Sequence, residues 1–295
     1  MVEMGAPDEQ HGHYHYALSG VQLDAESFDL GHRVTLSRTY IHLMSHPMLA
    51  FSAAKTSKPH PGPWQPAERN PRRTSADLFT NLSVPIDKTD PKGHANIASW
   101  IALLMRFVTD TTITITLSSP STFEDVRAGR ARARLLEAVP FVDEGATIHH
   151  EEAQWIRHNW YSSLPLSRNE ALMFAVGSIY HSHRTSEALG VVSIWVALER
   201  LFSANTAELK YRVCTNIAAF LEPPGEERYE LYKHLSKLYD GRSASAHGSP
   251  MKTQGVYMDS ATVASRSIMR IIELGRVPTR DELERELLAP SERQD

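Results

Sequence analysis

The sequence predicts an α+β N-terminal half followed by an all-α, up-and-down helical bundle, and three observations predict it. Residues 111–117 (Thr-Thr-Ile-Thr-Ile-Thr-Leu) alternate strictly and are β-branched, the signature of a strand. From residue 170 onward the apolar residues instead recur every three or four positions, in stripes joined by short connections. Between the two regimes, Leu164-Pro165-Leu166-Ser167 breaks the chain. The expected organisation is a flexible tail at 1–13, an α+β domain at 14–165, a helical bundle at 166–288 and a second tail at 289–295.

Taken in order, the His11-Gly12-His13-Tyr14-His15 cluster lacks carboxylate or Cys partners at ligand spacing, so a solvated tail is expected there rather than a metal site. Residues 14–18 and 34–37 read as strands, and the proline-rich stretch 55–75 as a surface loop. A strand follows at 76–86. A helix at 96–109 carries Ile97, Ile101, Leu104, Met105 and Val108 on one side. The strand at 111–117 should bury one face and line the other with threonine. Arg127, Arg130, Arg132 and Arg134 fit a solvated helix face better than a phosphate patch. Residues 150–160 look helical, and Ser167 is placed to cap the next helix. The stripes that follow are Leu172/Val176/Ile179/His183, Val191/Trp195/Leu198/Phe202 (widened by Val192 and Val196), Leu209/Val213/Ile217/Phe220/Leu221, Leu231/Leu235/Leu238 and Ala264/Ile268/Ile271/Ile272. Trp195, Phe202 and Phe220 are expected in the core. Gly275 and Pro278 end the last stripe, and residues 280–288 add a short amphipathic segment.

Composition narrows the function classes. Of the 295 residues, 41% are hydrophobic and 22% charged, globular values that exclude wholesale disorder. No apolar run reaches the ~20 residues a membrane span needs, and the acidic N-terminus predicts no secretory signal. The single cysteine, Cys214, has no internal disulfide partner and fits a reducing cytoplasm, as packing filler rather than a nucleophile. A formal net charge of −4 argues against a sequence-blind nucleic-acid binder, though not against an enzyme with one local cationic cleft. No Walker loop, HExxH, Gly-x-Ser-x-Gly or CxxC signature marks the N-terminal half.

Chemistry is concentrated in Leu238-Tyr239-Asp240-Gly241-Arg242-Ser243-Ala244-Ser245-Ala246-His247-Gly248. An Arg separated by four to six intervening residues from a following His occurs twice in the chain, about as often as chance allows. The pair Arg228/His234 sits in a charged, bulky helix. Arg242 and His247 are instead separated by small residues that leave room for a substrate or a second copy of the segment. Five helical residues rotate by ~500°, which leaves these two side chains about 140° apart on an unbroken helix. Either the segment is not regular helix, or a cleft between two copies gathers both pairs; the second solution agrees with a two-fold dimer. Other roles stay open for each group: Arg242 as an ion-pair partner of Glu199 or Asp240, Asp240 as a helix N-cap, His247 as a capping or interface histidine, and Glu199 in a buried polar contact.

With Trp195-Val196-Ala197-Leu198-Glu199-Arg200-Leu201-Phe202 and the amphipathic helix after it, this segment resembles the HEPN superfamily, specifically its Apea-like branch, over residues 166–274. The resemblance implies a metal-independent endoribonuclease that needs no cofactor, with Arg242 and His247 as the catalytic pair at a homodimer interface. Asp240, Ser243, Glu199 and Tyr239 would support them. It also implies RNA as substrate and a toxin or phage-defence setting, with an antitoxin or trigger-sensing partner. The better-attested nucleases of that family carry more polar residues after the Arg than Ser243. The residue types suit such chemistry. A histidine can move protons near neutral pH, an arginine can bind phosphoryl oxygens bidentately, and attack by a neighbouring 2′-hydroxyl restricts the reaction to RNA.

Overall fold

The computed structural model describes residues 12–44, 48–52, 64–68, 75–87, 89–124, 130–133, 145–182, 185–203, 208–246 and 253–288. The chain forms two compact units, Met1–Arg157 and His158–Asp295. The division, set at 165/166 by the sequence break, thus falls at 157/158, within a helix. The expected tails fall outside the described residues, except that Gly12 and His13 belong to the folded unit: Gly12 accepts a hydrogen bond from the Ile86 amide, and His13 opens the first strand.

The first unit contains β1 (His13–Ser19), β2 (Val21–Leu23), β3 (Ser27–Asp29), β4 (Thr35–Met44), β5 (Met48–Ser52), β6 (Trp64–Glu68), β7 (Ser75–Pro85), α1 (Gly93–Thr109), β8 (Thr114–Ser119), β9 (Arg132–Ala133) and β10 (Ala146–Ile148). Six strands form one antiparallel sheet in the order β3-β4-β7-β1-β8-β9. Its register sets Tyr16 opposite Leu82 and Leu18 opposite Thr80, so the alternate residues Leu78, Thr80, Leu82 and Val84 of β7 are buried together. Helix α1 lies against β1, β7 and β8 and buries Trp100, Ile101, Leu104 and Met105. Each such side chain contributes about 1.5–3 kcal/mol relative to exposure. Ile97 and Val108, expected on the same stripe, are only half-buried.

Three expectations are corrected here. In β8 the threonine side is the buried one: Thr114, Thr116 and Ser119 are inside, whereas Ile115 and Leu117 are half-buried. The register explains it, because Ala17 pairs with Leu117 and Leu18 with Ile115, leaving Thr116 as an extra residue in a bulge. The hydroxyls of Ser19 and Thr114 satisfy each other at 2.6 Å, whereas the buried Thr116 hydroxyl has no hydrogen-bond partner. Arg132 lies on an exposed edge strand instead of a helix face, with Arg127 and Arg134 outside the described residues. Within the proline-rich stretch, Trp64–Glu68 pairs antiparallel with β5, Pro66 opposite Ala50.

His94, in the first turn of α1, stacks on Tyr14 at 4.3 Å and is hydrogen-bonded to the Tyr16 hydroxyl. Burial holds the imidazoles of His94 and His15 below their usual value. The unfolded chain therefore takes up protons more readily, and stability is complete above about pH 6.5 and falls as the pH drops below it. Urea midpoints at pH 5 and pH 7.5 should differ in that direction, and the difference should shrink in His94→Gln.

The helix α2 (His150–Ser163) follows β10. Its N-terminal part is fixed by Arg157 to the Asp29 carbonyl at 3.0 Å, and the preceding His149 pairs with Asp24 at 2.7 Å. A 3-10 turn at Leu164–Arg168 leads into α3 (Glu170–Ser182), α4 (Glu187–Phe202), α5 (Leu209–Leu221), α6 (Glu226–Ala246), α7 (Thr253–Leu274) and α8 (Arg280–Leu288). The expected stripes form the second core: Leu172, Val176 and Ile179; Val191, Trp195, Leu198 and Phe202; Val213 and Ile217; Leu235 and Leu238; Ala264, Ile268, Ile271 and Ile272. Phe220 is half-buried and Val196 exposed. His183 lies outside the described residues. Asn169, rather than Ser167, caps α3 by accepting from the Leu172 amide at 3.0 Å. Helix α4 is the hub and touches α3, α5, α6 and α7.

Close approach at that hub depends on Gly190. A Cβ there would meet Tyr257 Cε2 of α7 at 2.7 Å and the Ser182 carbonyl of α3 at 3.1 Å. Gly190→Ala should cost about 1–3 kcal/mol of stability through overpacking, despite the better helix propensity of alanine, as read from the denaturation midpoint. Among the described residues no helix is long and apolar enough to cross a membrane.

Candidate functional site

The candidate site is built where α6 crosses α4. Glu199 is the one acid in a run of apolar α4 residues, and its carboxylate turns toward α6. Tyr239 donates its hydroxyl to Glu199 Oε1 at 2.9 Å, and Arg242 Nη2 stands 3.2 Å from the same oxygen. The side chains of Arg242 and Glu199 are only 25% and 16% exposed, so the pair is screened far less than a surface ion pair. The Arg242 guanidinium lies 5.4 Å from the Tyr239 ring centroid. The Tyr239 ring in turn meets Trp195 edge-on at 5.0 Å, and Trp195 Nε1 donates to Ser260 Oγ of α7 at 3.1 Å.

A connected series thus runs from Ser260 through Trp195, Tyr239 and Glu199 to Arg242, tying three helices to one guanidinium. Burial first, and then the adjoining Glu199 carboxylate, push the Tyr239 phenol up to about 12, so at neutral pH it is a fixed donor.

Helix α6 is continuous through Gly241 and Arg242 to Ala246, so the alternative of an irregular motif is excluded up to that residue. Asp240 lies deep inside α6 and forms an exposed ion pair with Lys210 of α5 at 2.7 Å. It is therefore no N-cap, which requires a residue at the helix start. Ser243 is half-buried. His247 lies outside the described residues.

Two polar atoms on this face have no hydrogen-bond partner although both are buried: Arg242 Nε and Ser245 Oγ. They come from residues three apart, hence neighbours on the helix surface. A buried donor and a buried hydroxyl left together without partners are uncommon in a folded protein and call for a partner of their own.

The competing Arg228/His234 pair has other work. Arg228 donates to the carbonyls of Glu222 at 2.8 Å and Glu286 at 2.9 Å, closing the C-terminal ends of α5 and α8, and His234 faces Asp259 at 3.6 Å. Cys214 is buried, and burial pushes its thiol up to about 11, which leaves it protonated at neutral pH. Among the described residues no group of three or more His, Cys, Asp or Glu could hold a metal ion; His11 lies outside them.

Sequence reasoning placed Glu199, Tyr239 and Arg242 together in outline but missed Trp195 and Ser260 as their support. The signal was a tryptophan at the position four before Glu199, one turn back on the same helix. Comparison with known proteins adds nothing to this geometry: no family model, curated protein or solved structure matches the chain.

Proposed function

We propose that this chain is a metal-independent endoribonuclease of the HEPN type. The observation that carries the reading is the pair of buried, partnerless groups, Arg242 Nε and Ser245 Oγ, in the last two turns of α6. A phosphodiester would satisfy both once the side chains that cover them move aside. Glu199 and Tyr239 orient the guanidinium in advance, so that its planar fork meets the charge that builds on the phosphoryl oxygens. His247 takes the proton of the attacking 2′-hydroxyl or supplies one to the departing 5′-oxygen. The continuity of α6 to Ala246 favours a cleft between two copies, since one regular helix turns positions 242 and 247 apart. The setting is a toxin or phage-defence system in the cytoplasm. The α+β unit there answers to a trigger or an antitoxin-like partner.

A second reading is favoured by one specific contact. In the Arg242–Glu199 pair the guanidinium already has a carboxylate at 3.2 Å within its own subunit, as a purely structural arginine would. The chain would then be a non-catalytic dimerisation or RNA-binding module. Incubating the protein with a single-stranded RNA in EDTA separates the two. Fragments ending in a 2′,3′-cyclic phosphate, absent when the RNA is replaced by DNA of the same sequence, support the nuclease. RNA bound but left intact supports the module.

A further inference from the structure

A cluster on the six-stranded sheet of the first unit takes no part in that unit's core or in the proposed nuclease chemistry. Strands β4 and β7 pair Arg38 with Thr80 and Ile41 with Leu78, so Thr39 and Tyr40 together oppose Phe79. Such a bulge disrupts the ladder locally and shifts the alternation of side chains by one residue. Strict alternation would turn Tyr40 to the side of Leu36 and Arg38; the bulge places it instead with His42, Asp77 and Phe79. Tyr40 is 67% exposed, and its ring lies 5.8 Å from that of Phe79, which is 37% exposed. His42 Nδ1 donates to Asp77 Oδ1 at 2.7 Å, and the Tyr40 hydroxyl donates to the same oxygen at 3.4 Å. The second Asp77 oxygen, on a side chain 44% exposed, has no partner among the described residues.

The charge on this side has one sign. Strands β1 and β7 contain no lysine or arginine. The single one in β4, Arg38, turns to the other side and donates to the carbonyls of Leu23 and Asp24 at 3.0 Å each. Asp77 is thus the one charged residue, histidines apart, on this side of the three strands, and the faces of the two rings beside it are electron-rich. A phosphate is repelled here, whereas an ammonium or guanidinium gains from both the rings and the carboxylate. Beyond the cluster lies a polar row, in which Asn81 Nδ2 donates to Ser37 Oγ at 3.2 Å and to His15 Nδ1 at 3.4 Å. Along β7, Asn81 is about 13 Å from Asp77, at the usual rise of a strand. A free amine does not span that distance, but an extended chain with a basic side chain over Asp77 does.

We infer that this face of the sheet docks an extended peptide segment of a partner protein, with a lysine or arginine seated against Tyr40, Phe79 and Asp77. The backbone of the segment lies toward the Ser37–Asn81–His15 row. The surface belongs to the first unit and does not depend on the nuclease reading.

Fluorescence polarisation of a labelled decapeptide of alternating valine and arginine, titrated with the full chain, tests it. That peptide should bind at least about tenfold more tightly than its valine–glutamine counterpart, and the affinity should fall as salt rises. Phe79→Leu keeps an apolar surface but removes a ring, and should weaken binding about two- to fivefold; Tyr40→Leu/Phe79→Leu should weaken it by about tenfold or more. Asp77→Asn should weaken it by about fivefold or more. Glu227→Gln, which removes the same charge from an exposed position on α6, should leave affinity unchanged. These side chains are exposed, so each variant should melt like the parent. The inference is overturned if the arginine peptide binds no more tightly than the glutamine one. It is overturned equally if Asp77→Asn and Tyr40→Leu/Phe79→Leu both bind like the parent, or if Glu227→Gln weakens binding as much as Asp77→Asn. A single-stranded oligouridine that displaces the peptide, and itself loses affinity in Tyr40→Leu/Phe79→Leu, would assign the face to nucleic acid and overturn it too.

Discussion

His247→Ala should reduce cleavage of a single-stranded RNA in EDTA by about 10²–10⁴-fold, the usual contribution of a positioned general acid or base. The loss should fall on kcat, because the imidazole acts on a proton in the transition state and adds little to ground-state binding. RNA affinity and the melting temperature should stay close to those of the parent. Arg242→Lys provides the companion measurement. It keeps the charge but loses the planar fork that both Glu199 and a phosphate require, so cleavage should fall while salt-dependent RNA binding persists. If His247→Ala cuts RNA at the parental rate, the nuclease reading is wrong. Fragments lacking a cyclic phosphate would be equally damaging.

Trp195→Ala should lower stability by about 3–5 kcal/mol, the range for removing a large aromatic from a filled core. The side chain is completely buried in the hub helix α4. Its loss also strips the hydrogen bond from the buried Ser260 hydroxyl and the edge contact from the Tyr239 ring. Trp195→Phe isolates the polar part: it keeps most of the ring packing, leaves Ser260 unpaired, and should cost about 1–2 kcal/mol. Urea denaturation followed by far-UV circular dichroism measures both. Since Tyr239 holds Glu199 in place, and Glu199 holds Arg242, Trp195→Phe should also slow RNA cleavage more than its stability cost explains. A cost below about 1 kcal/mol for Trp195→Ala would mean that the hub does not depend on this ring.

The helical half was legible in the sequence because its core follows one rule. Leu172/Val176/Ile179, Val191/Trp195/Leu198 and Ile268/Ile271/Ile272 recur at helical spacing, and burial follows the spacing. The sheet was legible in outline only. At residues 111–117 the alternation announced a strand correctly, but side-chain hydrophobicity named the wrong inner face. A single-residue bulge at Thr116 and a hydroxyl pair between Thr114 and Ser19, both long-range facts, decided it. Trp64–Glu68 was hidden for a related reason: a proline can sit in a two-stranded ribbon where its missing amide is not needed, so proline content alone misread it.

At the candidate site the types and spacing of Glu199, Tyr239 and Arg242 were readable. The continuity of α6 was not, because Gly241 and the serines disfavour helix locally and only packing overrides them. The capping box at Thr279 and Glu282 was readable from its Thr-x-x-Glu spacing but went unnoticed. Its geometry is complete, with the Thr279 amide donating to Glu282 at 2.8 Å and the Glu282 amide donating back at 3.3 Å.

The same Gly241 has a consequence for motion. The last two turns of α6, Asp240 to Ala246, combine a glycine, two serines and an aspartate, all weak helix formers, and among the described residues that stretch has ion pairs from Arg242 to Glu199 and from Asp240 to Lys210. Such a segment opens at a much lower free energy than the Leu235–Tyr239 stretch packed in the core, so its backbone amides should trade protons for deuterons well before those upstream. In Glu199→Gln the exchange of amides 242–246 should accelerate further while that of amides 230–238 holds steady. The guanidinium that would grip the scissile phosphate is, on this account, also the latch that keeps its own stretch of helix wound.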